Sequence, residues 1–293
     1  MVIGFLTGHF RVLDKQASGY LSQFVFNIAM PALVFVKLRD IPVSEFFDWQ
    51  FIGALGGGML AMLVVGFAVG RFVYSHNLTA TGLHGLTAMY SSTAYIGLPL
   101  LLIVFGDEAL APGVLGAVIT GIVFLPIGIV LAEVERSRTT GALALTKLTA
   151  VLRSPVLLAT AAGLTASALG LTVPASVVTL CELLGSAFVP CALFSAGLFM
   201  SGSTSRIATS EIGWLICAKL ILHPLITWWL AYHVFALEGI LPAIAVLQAA
   251  LPSGVPVFVL AQQYRTFEEQ SNAAIIVSTA LSIATLSGLI LLL

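Results

Sequence analysis

Tyr90-Ser91-Ser92-Thr93-Ala94-Tyr95-Ile96-Gly97-Leu98-Pro99 and Gln248-Ala249-Ala250-Leu251-Pro252-Ser253-Gly254-Val255-Pro256 interrupt two apolar runs in the same way. Proline has no amide hydrogen to give the preceding turn and clashes with it, while glycine lets the backbone leave the helical region. Each stretch therefore predicts a break in the middle of a hydrophobic segment, with hydroxyl or amide side chains beside it. Unwound backbone survives inside a bilayer only where protein buries it or a polar cavity receives it. A lone Gly-x-Pro reads most simply as a kink. A matched pair is the better pointer to a transport site.

The surroundings of the two breaks require a membrane. Hydrophobic residues make up 59% of the 293 and charged residues 9%, with a mean hydropathy of +1.08. A soluble domain carries about 25% charged residues to cover its surface. The hydrophobic segments read as 1–10, 18–38, 49–73, 82–105, 110–132, 154–170, 174–200, 211–236, 239–262 and 272–293. A span needs about 20 residues, so the first is short, and we expect Met1 to be an internal methionine of a longer product. No cleavable signal peptide is expected. The net charge of −1 gives no reason to expect nucleic acid as a partner. Cys181, Cys191 and Cys217 lack metal-ligand or CxxC spacing and read as inert packing.

The polar stretch 133–153 divides the chain into halves that repeat. Asn27-Ile-Ala-Met-Pro31-Ala-Leu-Val-Phe35 answers Ser186-Ala-Phe-Val-Pro190-Cys-Ala-Leu-Phe194, and Gly97-Leu-Pro99 answers Gly254-Val-Pro256. The acidic turns Asp107-Glu108 and Glu268-Glu269 follow at nearly the same offset. Each half holds five segments, an odd number, so the second copy enters the membrane inverted. The expected fold is an all-α integral membrane protein of ten helices: repeat 1–132, cytoplasmic linker 133–153 and inverted repeat 154–293. Its two broken helices cross, and four half-helix ends meet near the midplane. Amides left free near Gly97 and Gly254, with the positive helix ends, would suit a carboxylate.

Charge sets the orientation. With both termini outside, cytoplasmic links hold Arg11, Lys15, Arg71, Arg136, Arg138, Lys147, Arg153, Arg206 and Arg265, external links hold Lys37 and Arg39, and Lys219 falls inside a span. This split follows the positive-inside rule, and the expected location is the cell's inner (plasma) membrane. A cysteine at Ser137 should then be labelled only from the cytoplasmic side; labelling from outside in intact cells would overturn the orientation.

In this order the motifs resemble the auxin efflux carrier family, which includes bacterial malate and malonate permeases and plant PIN carriers. The marks are Asn27-x-x-x-Pro31-Ala, Gly97-Leu-Pro99 with Phe105-Gly106-Asp107-Glu108, Arg153-Ser154-Pro155, Lys219-Leu-Ile-Leu-His223-Pro224, Ala249-Ala250-Leu251-Pro252 and Ala261-Gln262-Gln263-Tyr264. The resemblance spans essentially the whole chain. It implies a fold like that of bile-acid:sodium symporters, with scaffold helices 1–10, 18–38, 154–170 and 174–200 and transport helices in 49–132 and 211–293. Elevator-like motion, carboxylate substrates and a homodimer through scaffold helices are implied with it. The family commonly has asparagine before Thr-Gly-Phe where this chain has Ser92 before Thr93-Ala94-Tyr95, and Met-Pro where it has Leu251-Pro252. A hydroxyl offers one donor where an amide offers two and an acceptor, so the serine bears on specificity.

Candidate substrate-binding residues are Asn27, Ser91, Ser92, Thr93, Tyr95, Gly97, Pro99, Gln248, Pro252, Ser253, Gly254 and Pro256. Glu182, read as the carboxylate within a span, is a candidate for carrying a coupling proton if buried. Lys219 and His223, four apart, share a helix face and could draw an anion inward; alternatively Lys219 snorkels outward. His84 reads as interfacial, Trp49, Trp214 and Tyr232 as interface anchors, and Leu63 as lipid-facing. The function expected is secondary transport of small organic anions, with no cofactor or metal and with H+ or Na+ as the possible coupling ion. The alternatives are an auxin-like weak-acid exporter, a cation antiporter, which needs carboxylates at the crossing, a channel or receptor, and an intramembrane enzyme built on Ser253 and His223. No nucleophile-base-orienter set supports the enzyme.

Overall fold

A computed structural model describes residues 2–13, 15–43, 47–128, 130–131, 155–201 and 210–292. The linker 133–153, with Ser137, and Arg206 lie outside the described residues. Among the described residues the backbone is helical, with one isolated antiparallel bridge and no longer strand. In chain order the helices are α1 (Val2–His9), α2 (Lys15–Phe24), α3 (Met30–Leu38), α4 (Trp49–Phe72), α5 (Leu78–Met89), α6 (Leu98–Phe105), α7 (Leu110–Val118) and α8 (Pro155–Ala168). They continue with α9 (Ala175–Ser186), α10 (Phe188–Ser201), α11 (Ser210–Cys217), α12 (His223–Trp229), α13 (Leu241–Ala250), α14 (Val255–Tyr264) and α15 (Glu268–Leu292).

Among the described residues five helical runs are long and apolar enough to cross a bilayer: Trp49–Phe72, Thr93–Gly128, Ala175–Ser195, Ser210–Val234 and Glu268–Leu292. Shorter apolar helices cover Asn27–Leu38, Leu158–Ala168 and Leu241–Ala250. The chain is therefore a multi-pass membrane protein. The run Thr93–Gly128 turns at Gly106, whose φ of 70° only glycine adopts freely, so the acidic turn falls where the sequence puts it. The expected segment 82–105 does not run through: α5 stops at Met89.

The chain forms two compact units. One comprises 1–48, 94–115 and 152–204; the other 49–93, 116–151 and 205–293. In the first, α1 and α2 pack against α10, and α3 packs against α8 and α9. Its α9 buries only Gly185, while Leu180 and Leu183 are exposed, an apolar exterior that a bilayer or another chain would cover.

In the second unit α4 and α5 pack through glycines. A Cβ on Gly66 would fall 2.9 Å from Gly85 Cα, and one on Gly85 would fall 2.9 Å from Leu63 O. Lipid tails are as apolar as leucine, so membrane helices adhere by such close contact rather than by hydrophobic exclusion. This packing corrects the reading of Leu63: it is buried against α5, while its neighbours Leu60 and Val64 are exposed. From Thr79 to Met89 every residue of α5 is buried, as is every residue of α13 from Pro242 to Ala250. A helix buried all round lies inside its unit. These two helices lead to the breaks.

Candidate functional site

Both interior helices end in extended backbone. After α5, Tyr90 has φ −67° and ψ 110°; after α13, Leu251 has φ −61° and ψ 151°. Pro252 enforces the second, because its ring disfavours helical geometry in the preceding residue. The two extended pieces pair antiparallel, with Ser91 opposite Ser253. Ser92 N–H donates to Pro252 O at 2.9 Å, and Gly254 N–H donates to Tyr90 O at 3.0 Å. Only a residue without a side chain fits at 254, since a Cβ there would lie 2.7 and 2.8 Å from Tyr90 ring carbons.

Other polar groups meet the rest of the freed backbone. Thr93 N–H donates to Ser91 O at 2.8 Å, and Ser253 N–H donates to Ser278 Oγ at 3.1 Å. The Ser253 hydroxyl donates to Thr87 O at 2.9 Å. The amide of Gly254 is thus not free, contrary to the sequence expectation: the partner break takes it.

Lys219 reaches this crossing from the wider π-helical turn Ala218–Leu222. Pro224 can give no hydrogen bond to that turn, which explains why the helix loosens there. Such turns often occur at functional sites. The ammonium donates to Ser91 Oγ at 2.7 Å, to Ala249 O at 2.7 Å and to His223 Nδ1 at 3.0 Å. Lys219 and His223 are both fully buried, so Lys219 does not snorkel. With Nδ1 accepting from an ammonium, the hydrogen of neutral His223 sits on Nε2, which has no hydrogen-bond partner among the described residues. Thr227 Oγ1, one turn further along α12, is likewise without one among them. No ion pair among the described residues involves Lys219. The arrangement is a buried lysine amine bonded to both broken segments. In its ammonium form it attracts an anion and repels a cation.

The remaining expected residues divide between the units. Ser91, Ser92, Thr93, Gln248, Pro252 and Ser253 are buried in the second unit, and Pro256 opens α14 there. The Gln248 side chain lies where a Cβ on Gly116 would have to go. Asn27, Tyr95, Gly97, Pro99 and Glu182 belong to the first unit. Asn27 is exposed in the π-helical turn Val25–Ala29, and Gly97 and Pro99 are buried. Glu182 is exposed on α9, so the burial that would recommend it as a proton carrier is missing. His84, read as interfacial, is fully buried within its unit.

Glu211, which the sequence did not single out, is buried and sits 2.5 Å from His76 Nε2. It opens its helix, where acidic residues are ordinary, so periodicity gave it no weight. Only the fold of the 73–77 turn brings His76 onto it.

A family model described as a membrane transport protein matches residues 1–290. The chain belongs to the auxin efflux carrier family of membrane transport proteins. It is 30% identical over 296 aligned positions to a Rhizobium meliloti protein provisionally named a malonate transporter, covering 99% of this chain and 91% of that one. An uncharacterised transporter of Methanothermobacter thermautotrophicus is 24% identical, with 98% and 92% covered. Auxin efflux carrier component 8 of Arabidopsis thaliana is 33% identical over 119 positions, which are 40% of this chain and 32% of that carrier. The family is one of transporters.

Proposed function

We propose that the chain is a secondary transporter of small carboxylates of the malonate and malate class, with the substrate held beside the paired breaks of 91–93 and 252–254. The observation that carries this reading is the buried Lys219 ammonium bonded to Ser91 and to the carbonyl of Ala249. A charge at that depth is expensive and marks a substrate or ion path by default. Its sign favours an anion and disfavours the cation-antiporter alternative. His223 Nε2–H, buried and without a partner among the described residues, supplies a donor for the carboxylate. The name of the Rhizobium meliloti relative points to the same substrate class.

The ten-helix inverted repeat, the scaffold and transport groups, elevator-type alternating access, a homodimer and an inner-membrane location with both termini outside complete the proposal. A resident ammonium bonded to hydroxyl and carbonyl oxygens occupies the kind of oxygen cage a sodium ion would need, so a proton is the favoured coupling ion.

The test is uptake of radiolabelled mono- and dicarboxylates into proteoliposomes, with pH and sodium gradients imposed separately. Malonate or malate should accumulate with the pH gradient and ignore sodium; uptake of none of the carboxylates would overturn the reading. Ser92→Ala and Gln248→Ala should each weaken binding by about 10- to 100-fold, the worth of one hydrogen bond to a charged group. Leu60→Ala, at an exposed position, should change little. Parent-like affinity in both site variants would remove the carboxylate from the crossing.

A further inference from the structure

A second buried polar cluster lies in the same unit as the crossing and shares α5 with it. His76 follows α4, His84 is on α5 and Glu211 opens α11. Glu211 Oε1 is 2.5 Å from His76 Nε2 and 3.8 Å from His84 Nε2. On its other side the His84 ring places Nδ1 2.7 Å from Gly66 O. A carbonyl can only accept, so Nδ1 carries the hydrogen, and neutral His84 turns the lone pair of Nε2 towards the carboxylate. That nitrogen has no hydrogen-bond partner among the described residues. Two electron-rich atoms therefore face each other in a buried place.

We propose that His76, His84 and Glu211 form a binding site for one exchangeable proton, and that this proton is the ion coupled to transport. The second half of this statement rests on the carboxylate-transport reading above; the first does not. On uptake, a proton from water bonds to His84 Nε2, Nδ1–H stays on Gly66 O, and the imidazolium pairs with the Glu211 carboxylate. The charge of the cluster rises by one. On release the proton returns to water past His76, whose side chain is 20% exposed and is the cluster's outlet.

A metal ion fits poorly. Two ligands of one tetrahedral zinc, each about 2.0–2.2 Å from it, lie about 3.3 Å apart, which the spacing of His76 and Glu211 does not allow. It is a hydrogen-bond distance.

The surroundings suit a proton. Tyr74 packs with its ring centroid 5.7 Å from that of His84, and Phe267 lies 5.4 Å from His76 and 5.8 Å from His84. Aromatic faces and edges at this range exclude water, and a face towards an imidazolium stabilises it. Gly70 makes the room, since a Cβ there would be 3.0 Å from the His84 ring. Other titratable or charged groups on the neighbouring elements are few. Arg71 on α4 donates to His76 O at 3.0 Å, Tyr74 contributes its phenol, and Arg265, Glu268 and Glu269 flank Phe267. Among the described residues none of these forms an ion pair with the cluster.

The cluster is also wired to the crossing. Glu211 and Lys219 lie on one continuous helical run, eight residues or about 12 Å apart. His84 and Ser91 lie seven residues apart at the end of α5. A change of charge at the cluster is thus applied to both helices that meet at Lys219.

Two measurements decide it. Infrared difference spectra of purified protein, taken without substrate between about pH 8 and about pH 4.5, should include an imidazole-protonation component that His84→Gln removes and Glu211→Gln alters. In proteoliposomes, both variants should lose at least about tenfold of pH-gradient-driven malonate accumulation while malonate exchange stays within about twofold. A purely structural cluster would instead lower both modes together. A parent-like spectrum in His84→Gln, or parent-like accumulation in either variant, overturns the proposal. If the parent exchanges no carboxylate, the transport reading fails by itself, and the infrared arm still decides whether the proton site exists. Should His84→Gln not fold, Glu211→Gln is held to both measurements, and a parent-like spectrum or parent-like accumulation in it overturns the proposal.

Discussion

Lys219→Met should abolish carboxylate binding while leaving a folded, inserted protein. Methionine fills much of the lysine stem's volume without its charge, and replacing a buried ion by an apolar side chain of similar size is often neutral for stability. Binding is a different matter. Truncating one partner of a buried charge pair costs about 2–5 kcal/mol, which is about 30-fold to several thousandfold in affinity. Two further effects act in the same direction: Ser91 Oγ and Ala249 O lose their common donor, and His223 loses the bond that fixes its tautomer. Lys219→Arg keeps the charge but offers a planar fork in place of a compact ammonium, so it should recover only part of the loss. The measurement is substrate affinity of purified protein, with thermal stability recorded alongside. Parent-like affinity in Lys219→Met would mean the ammonium serves only to hold the breaks together.

The crossing was legible because its chemistry is local. Pro252 and Gly254 break a helix wherever they stand, and Tyr90 to Thr93 carry hydroxyls that a lipid-facing helix would not hold. What the breaks do to each other was not legible. The sequence predicts free amides, yet a broken helix that meets another broken helix can pair with it, and Gly254 N–H does so with Tyr90 O. Lys219 was visible as a charge in a span, but whether it faced the site or snorkelled depended on the rotation of its helix, which an almost uniformly apolar segment does not encode. The same ambiguity misplaced Leu63, one turn from the exposed Leu60 on α4.

Long-range pairing explains the other gaps. His76 lies in a turn and Glu211 at a helix start, 135 residues apart, and each is unremarkable alone. Glu182 drew attention because it sits deep within an apolar segment, but depth along a helix is not burial. The helix that carries it shows most of its surface outward. In a membrane protein, periodicity distinguishes inside from outside poorly, since both faces are apolar. Polar residues must then be assigned by what they touch.

The contact between the two breaks supplies the other large effect. Gly254→Val should eliminate transport, and Gly254→Ala should reduce it by about tenfold. A Cβ at 254 meets Tyr90 ring carbons at 2.7 and 2.8 Å, closer than real carbon atoms approach, so the two extended pieces must move apart. That movement strains the bonds Gly254 N–H to Tyr90 O and Ser92 N–H to Pro252 O. It also shifts Ser91, on which the Lys219 ammonium rests. Overpacking of this kind costs about 1–3 kcal/mol, and the second branch of valine puts it at the upper end or beyond. The cause can be isolated by relief. Leucine at position 90 removes the ring edge that faces the new methyl, so Gly254→Ala combined with Tyr90→Leu should regain several-fold of the activity lost by Gly254→Ala alone. Exchange of labelled malonate in proteoliposomes, normalised to inserted protein, reads the effect. No recovery in the double variant would show that the loss does not come from the Tyr90 contact, and the pairing of the two breaks would then not be the feature that transport depends on.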